Sequence, residues 1–374
     1  MKGHVRKRGN KWCFVLDLKS DDGKRRQKWF SGYRTQKEAE KAMAKMITEI
    51  NEGTYIEPSK EKFSDFLATW LELKKTKVRQ TTFDTYNMYT KNHILPTIGH
   101  YRLDQLNAVH LEKLYINLSQ HLAAKSILKV HEIIRNALGY AKTKGFVREN
   151  VALLAETPKV TRKEMKVWNE EEVRRFLEVA KGDRLYIAFH LALTTGMRRG
   201  EILGLRWKDI DVKNKMLSIN QTLSKDGSHF QPAKSEGSYR SIALAQSTLD
   251  ELAKHYKMVR EERFRYGREY QNLDLVVCTT LGTKVLPRNL SRKWYSLLKK
   301  ADVSKIRFHD LRHTHATLML KQGIHPKIVS ERLGHSSVQI TLDTYSHILP
   351  GLQEAAAAKF DENLFGVKNK SQSI

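Results

Sequence analysis

LYIAFHLALTTGMRRGEILGLRW, residues 185–207, holds two apolar runs on either side of a glycine-bounded, arginine-rich break. The first run, Leu185 to Thr195, is apolar almost throughout and longer than an ordinary strand, so it predicts a buried helix that ends at Gly196. A second amphipathic run, ILGLRW, follows Arg198, Arg199, Gly200 and Glu201. The glycines permit a tight turn from helix to helix. An arginine held in such a turn is fixed rather than mobile, and a guanidinium matches phosphate oxygens two at a time. Arg198 is therefore a candidate phosphate ligand, with a structural pairing to Glu201 as the alternative.

Downstream, MLSIN (216–220), FQPAK (230–234) and SYRSIAL (238–244) alternate as strands do, with a turn at Lys225-Asp226-Gly227. Together they predict one short antiparallel sheet. Lys234 lies beside a second turn, Ser235 to Ser238, where a lysine is ordinarily only solvated. RFHDLRHTHATLML (307–320) then predicts a helix with His309 and Arg312 three apart on one face. His309 and His313, four apart, also resemble a zinc pair. No glutamate follows His309 and Arg312 would oppose a metal ion, so zinc is set aside. Finally Leu333-Gly334-His335 reads as the start of a glycine-led helix, with Tyr345 shortly after it.

Upstream, WCFVLDL and RQKWFSGY alternate around a Ser20-Asp21-Asp22-Gly23 turn, and Thr35 with Glu38 forms a capping box for a helix through Ala39, Met43 and Ile47. Residues 1–56 are predicted as a basic β-β-β-α module. Its Arg6, Lys7, Arg8, Lys11, Lys24, Arg25, Arg26 and Lys28 are candidate DNA contacts, because a sheet face can enter a groove with its cations on phosphates. A merely solvated basic hairpin is the alternative. Residues 54–60 read as a linker. Apolar positions then recur at helical spacing around 63–71, 86–94, 109–118 and 127–141, predicting a helical domain over 62–158. A second linker, basic and broken by Pro158, leads to a third domain, residues 166–374.

Lys and Arg number 67 against 41 Asp and Glu, a formal charge of +26 over 374 residues. That balance points to a polyanionic partner. No window approaches the ~18 consecutive apolar residues of a spanning helix, so nucleic acid is favoured over membrane. The basic start lacks an apolar secretion-signal core, which places the protein in the cytoplasm. Cys13 and Cys278, far apart in strand-like settings, predict buried thiols rather than a disulfide or zinc ribbon. Neither a phosphate-binding glycine loop nor a magnesium-holding carboxylate cluster is found, so no cofactor or metal is expected.

Taken in order, Thr195-Gly196-Met197-Arg198-Arg199-Gly200-Glu201, Lys234, His309-Asp310-Leu311-Arg312, Leu333-Gly334-His335 and Thr344-Tyr345 closely resemble the catalytic signature of tyrosine recombinases. The resemblance covers nearly the whole chain, and the layout looks like the integrases of temperate phages and conjugative transposons. It implies a multidomain, mainly α fold with small β-sheets. It also implies a site-specific recombinase that cuts DNA through a 3′-phosphotyrosyl bond on Tyr345, without ATP or metal. By the same resemblance Arg198, Arg312 and His335 would hold the phosphate and Lys234 would protonate the leaving 5′ oxygen. Lys225 is the less favoured alternative to Lys234. His309 would accept or position the tyrosine proton, and Glu201 would support Arg198. The implied partners are core-type and arm-type sites on double-stranded DNA and a homotetramer on that DNA, with room for a host DNA-bending protein and an excisionase-type directionality factor. A type IB topoisomerase-like activity and a DNA-binding regulator with a vestigial site are the competing readings.

Overall fold

The computed structural model describes residues 3–19, 25–52, 59–161, 165–232, 239–345 and 352–366. Lys24 and Lys234 lie outside the described residues, as do the turns predicted at 20–23 and 235–238. The chain divides into two compact units, residues 1–162 and 163–374.

The first unit begins with an antiparallel sheet, β1 (Gly3–Arg8), β2 (Lys11–Lys19) and β3 (Arg25–Tyr33), with β2 in the middle. Strand alternation gives it two different faces. Phe14 stacks on Phe30 at 4.8 Å on the face that carries α1 (Gln36–Asn51), where a Cβ on Gly3 would come within 3.0 Å of Met43 Sδ. On the other face Val15 pairs with Trp29, and Arg6 lies with its guanidinium 3.8 Å over the Trp29 ring. That cation-π contact roofs Cys13 and Val15, which are buried despite facing away from the helix. Thr35 caps α1 as predicted, accepting from the Glu38 N–H at 3.2 Å. Glu38 reaches back one residue further than a standard box, accepting from the Arg34 N–H at 2.9 Å.

Five helices follow: α2 (Phe63–Lys75), α3 (Gln80–Tyr89), α4 (Leu95–Ile98), α5 (Ala108–Ser119) and α6 (Ala124–Thr143). Their apolar faces meet in one core, in which Trp70 stacks on Tyr86 at 5.8 Å. Between α3 and α4 the chain makes a π turn over Thr90–Ile94. Pro96 explains it, because the missing N–H leaves the Asn92 carbonyl without its usual α-helical donor.

In the second unit α7 (Glu170–Ala180) starts on an Asn169–Glu172 capping box. α8 (Tyr186–Thr195) is buried along most of its length, as its apolar sequence requires. It stops at Gly196, whose φ of +67° is left-handed. A short α9 (Arg199–Gly204) follows. The strands β4 (Ile210–Asp211), β5 (Met216–Ile219), β6 (Gln221–Leu223), β7 (Phe230–Pro232) and β8 (Arg240–Ala243) form two sheets, not the predicted one. β5 pairs with β4 and β8, whereas Phe230–Pro232 pairs with an unforeseen strand, Gln221–Leu223. Asn220 marks the break between β5 and β6: its amide donates to Asp209 at 2.8 Å.

The remaining helices are α10 (Gln246–Tyr266), α11 (Pro287–Ala301), α12 (Asp310–Lys321), α13 (Pro326–Leu333), α14 (Val338–Tyr345) and α15 (Leu352–Phe365). Trp168, Phe176, Phe189, Trp294 and Phe308 pack ring against ring at 4.8–6.1 Å in the core beneath them. Gly334 closes α13 in a left-handed conformation (φ +69°) rather than leading a helix; the next one begins at Val338. Both cysteines are buried free thiols. Among the described residues no helix is long and apolar enough to cross a membrane.

Candidate active site

The site is built where three chain reversals meet: the α8–α9 turn, the start of α12 and the turn after α13. Arg312, in the first turn of α12 and buried, donates through Nη1 to the Gly196 carbonyl at 2.8 Å and through Nη2 to the Leu333 carbonyl at 2.6 Å. Arg198 donates through Nη2 to the next carbonyl, Gly334, at 3.3 Å. The two guanidiniums are thus tied to consecutive carbonyls, and His335 comes next in the chain. Its Nδ1 is 2.8 Å from the Thr341 hydroxyl on α14.

Glu201 lies between two arginines. Its Oε1 accepts from Arg198 Nη1 at 2.8 Å, and its Oε2 accepts from Arg240 Nη2 at 2.9 Å. Burial favours the neutral acid, but Arg240 and then Arg198 outweigh it and hold the carboxyl below the usual carboxylate range. Arg240, at the first position of β8, also donates through Nε to the Arg332 carbonyl at 2.7 Å. Arg332 in turn fastens α13 to the Ala243 and Thr194 carbonyls, both at 2.9 Å. Two arginines thus share a single carboxylate, and Arg312 and Arg332 both lie close enough to Arg240 to feel its charge, so cations outnumber the carboxylate. Burial, with Arg198 close by, pulls the Arg312 guanidinium down to about 9. An anion with several acceptor oxygens would relieve that repulsion.

Arg198, Glu201, His309 and His335 line one cleft of about 1290 Å³, together with Lys225 from the β6–β7 turn. His309 stands at the N-cap of α12, its ring edge-on to His313 at 5.4 Å. Burial first, then Arg312, lowers its pKa. Tyr345, the last residue of α14, is buried against Ala316, Leu320, Val329 and Leu333. Its phenol oxygen lies 2.8 Å from His313 Nδ1, within hydrogen-bond distance. Burial pushes the phenol up to about 12, with Arg312 opposing the rise.

Of the predicted catalytic residues, Arg198, His309, Arg312, His335 and Tyr345 come together in this one region; Lys234 is outside the described residues. Among the predicted DNA contacts, Arg6, Lys7, Arg8, Lys11 and Lys28 belong to the N-terminal sheet, far along the chain from this site. Arg25 and Arg26 open its third strand. His313 carries the contact to Tyr345, although its spacing from His309 had suggested only a metal pair. No local signal in the sequence separated these two partners; the packing of α14 against α12 decides it. Arg332 and His315 were also missed, because both act through tertiary contacts. Among the described residues no group of three or more His, Cys, Asp or Glu is gathered as a metal site.

The phage integrase family model matches residues 166–351, an arm DNA-binding domain matches 4–50 and the N-terminal SAM-like domain of phage integrases matches 62–119. The chain belongs to the phage integrase family of tyrosine recombinases. A "Tyrosine recombinase XerC-like" protein of Caldanaerobacter subterraneus is 29% identical over 355 residues, covering 89% of this chain and 90% of that one. The ICEBs1 integrase of Bacillus subtilis is 32% identical over 209 residues, covering 55% of this chain and 56% of its own. In fold, this recombinase is similar to the Tn1549 transposon integrase solved with circular intermediate DNA (TM-score 0.68, 17% identity, 80% of this chain and 99% of that one). It is also similar to a lambda integrase tetramer bound to a Holliday junction (TM-score 0.60, 19% identity, 91% and 94%).

Proposed function

We propose that this recombinase integrates and excises a mobile element or prophage by cutting and rejoining DNA at its attachment sites, with Tyr345 as nucleophile. One observation carries the assignment of residues: Arg198 and Arg312 are pinned to the adjacent carbonyls of Gly334 and Leu333 beside His335, with Tyr345 on the following helix. The bonds from Arg312 to the two carbonyls leave three of its five N–H groups for a ligand. Two fixed guanidiniums would hold the non-bridging oxygens of a backbone phosphate and offset the charge that builds at phosphorus. In the tautomer that accepts from the Thr341 hydroxyl at Nδ1, His335 would present Nε2–H to the cleft as a further donor. Lys234 would protonate the departing 5′ oxygen, and His309, at the mouth of the same cleft, would orient the phosphate or the incoming phenol.

The products are a 3′-phosphotyrosyl ester and a free 5′ hydroxyl. Attack by the hydroxyl of a partner strand on that ester reverses the step and joins new ends, so the ester conserves the bond energy. We assign residues 1–56 to arm-type sites, and residues 62–158 with 166–374 to core-type sites. A homotetramer on two duplexes would be the working assembly, as in the lambda integrase tetramer on a Holliday junction. Host bending and directionality proteins would set its direction in the cytoplasm.

A duplex spanning the attachment core, mapped from the DNA that flanks the gene, tests the reading. Wild-type protein should form an SDS-resistant protein–DNA adduct on a nicked version of that duplex, and Tyr345→Phe should form none. An equal adduct from Tyr345→Phe would remove the nucleophile assignment.

A further inference from the structure

Two imidazoles stand edge to face at the start of α12, and the phenol of Tyr345 meets one of them. Tyr345 Oη is 2.8 Å from His313 Nδ1, on the buried side of α12, while His309 faces the cleft. Nδ1 is free to accept only in the tautomer that carries its hydrogen on Nε2. We infer that His313 is a catalytic residue of this recombinase, the base that takes the phenolic proton of Tyr345, which leaves His309 to the phosphate side of the site. The inference rests on the proposed function above and refines one step of it.

The step balances as follows. The Tyr345 O–H proton passes to His313 Nδ1 as the Oη–P bond forms and the P–O5′ bond breaks, and the 5′ oxygen takes a proton from the general acid. On rejoining, a 5′ hydroxyl attacks phosphorus and gives its proton back to the deprotonated general acid, while the Oη–P bond breaks and Tyr345 recovers its own proton from His313. Without a base, only a minute fraction of a phenol raised to about 12 is ionised at neutral pH. A base fixed within hydrogen-bond reach is worth roughly 10²–10⁴-fold in rate.

The groups around His313 keep it neutral. Asp310 and Arg312 on its own helix, His309 at the N-cap, Arg307 just before it, His335 after α13 and Tyr345 on α14 all face it. Burial, then His309 and the cations, hold its pKa down at about 4, so it is unprotonated across the working pH range. Arg312, buried beside both groups, would stabilise the phenolate as the proton leaves.

The test uses single-turnover cleavage of the nicked attachment-core duplex by the full-length protein, from pH 6 to pH 9. Wild type should be nearly flat in that range, because His313 stays neutral. His313→Ala should lose at least 100-fold at pH 7 and regain about tenfold per pH unit as the phenol ionises unaided. His313→Asn keeps an acceptor oxygen near the Nδ1 position but cannot take a proton, so it separates base from positioning group and also guards against misfolding of the alanine variant. It should be as slow as His313→Ala, and as steep in pH, while binding the duplex like wild type in a mobility shift. With a 5′-bridging sulfur in the duplex, whose thiolate leaves without a proton, Lys234→Ala should recover and His313→Ala should not. A flat profile within threefold of wild type for His313→Asn, or full rescue of His313→Ala by sulfur, would overturn the inference alone. Absence of any adduct from wild type would overturn both it and the proposed function.

Discussion

Glu201 shows how much one side chain can hold in this site. It is buried between Arg198 and Arg240, with hydrogen bonds to both. Breaking a buried pair leaves uncompensated charge, which typically costs about 3–5 kcal/mol. Glu201→Gln should therefore lower stability by that order in urea denaturation, and it should weaken phosphate binding by letting Arg198 turn away. His315 supplies a pH dependence of its own. Its Nδ1–H donates to the Leu193 carbonyl at 2.8 Å, and its Nε2 accepts from Arg332 Nε at 3.3 Å, so it is neutral in the fold. Burial, and then Arg332, lower its pKa to about 4. The unfolded chain takes up this proton from about pH 6.5 downward and the folded chain does not, so stability is complete above 6.5 and is lost as pH falls towards 4. Between pH 7 and pH 5 the loss at this one histidine should be about 2 kcal/mol. A His315→Gln variant should have a shallower dependence of the urea midpoint on pH, and an unchanged slope would refute the assignment.

At the scale of elements, the site depends on how sharply α8 can end. Gly196 has a left-handed backbone, and a Cβ there would meet Leu333 Cδ2 at 2.6 Å and His315 Cδ2 at 2.7 Å. Gly196→Ala thus combines backbone strain of about 1–2 kcal/mol with a clash against two elements that position the arginines. Thermal unfolding should shift down by several degrees, and cleavage should fall further than the stability loss explains, because Arg312 is anchored on the Gly196 carbonyl. The aromatic core is the second support. Trp294 touches Trp168, Phe176, Phe189 and Phe308, and its indole N–H donates to the Ile306 carbonyl at 3.1 Å, just ahead of α12. Trp294→Ala should cost about 3–5 kcal/mol, read from the same denaturation experiment.

Over the whole molecule, the charge of +26 sets how the protein meets DNA. Binding carried by phosphate contacts must weaken as salt rises, by close to one logarithmic unit per contact for each tenfold rise in salt. Arg6 and Arg8 both lie near the exposed Trp29 ring, at 3.8 Å and 5.7 Å. If that sheet face grips DNA, replacing both by alanine should flatten the slope by about two on arm-site DNA and leave cleavage of an isolated core site intact. An unchanged slope would assign that face to structure alone. At the other end, α15 exposes Phe360, Leu364 and Phe365. Deleting residues 352–374 should impair assembly on paired sites while sparing single-site binding, as measured by gel mobility.

The sequence by itself determined the helical character of the second unit, the N-terminal sheet and helix, and the identity of five residues now gathered in one site. Those features are written locally, in the all-apolar run of α8, in the alternation of β2 and β3, and in glycines beside arginines. Only the tertiary structure decided which strands pair, because Asn220 divides β5 from β6 through a bond to Asp209 rather than through any local rule. Only it decided that Gly334 ends α13 instead of opening the next helix, and that Arg240 and Arg332 tie β8 and α13 to the site. His313 belongs with these. A histidine four residues from another on a helix looks the same on paper whether its partner is a metal or a tyrosine. The choice was made by the packing of α14 against α12, which brings together groups 32 residues apart at hydrogen-bond distance. Periodicity and turn chemistry act over a few residues, whereas the partner of a buried polar group is chosen by whatever the rest of the chain brings to it.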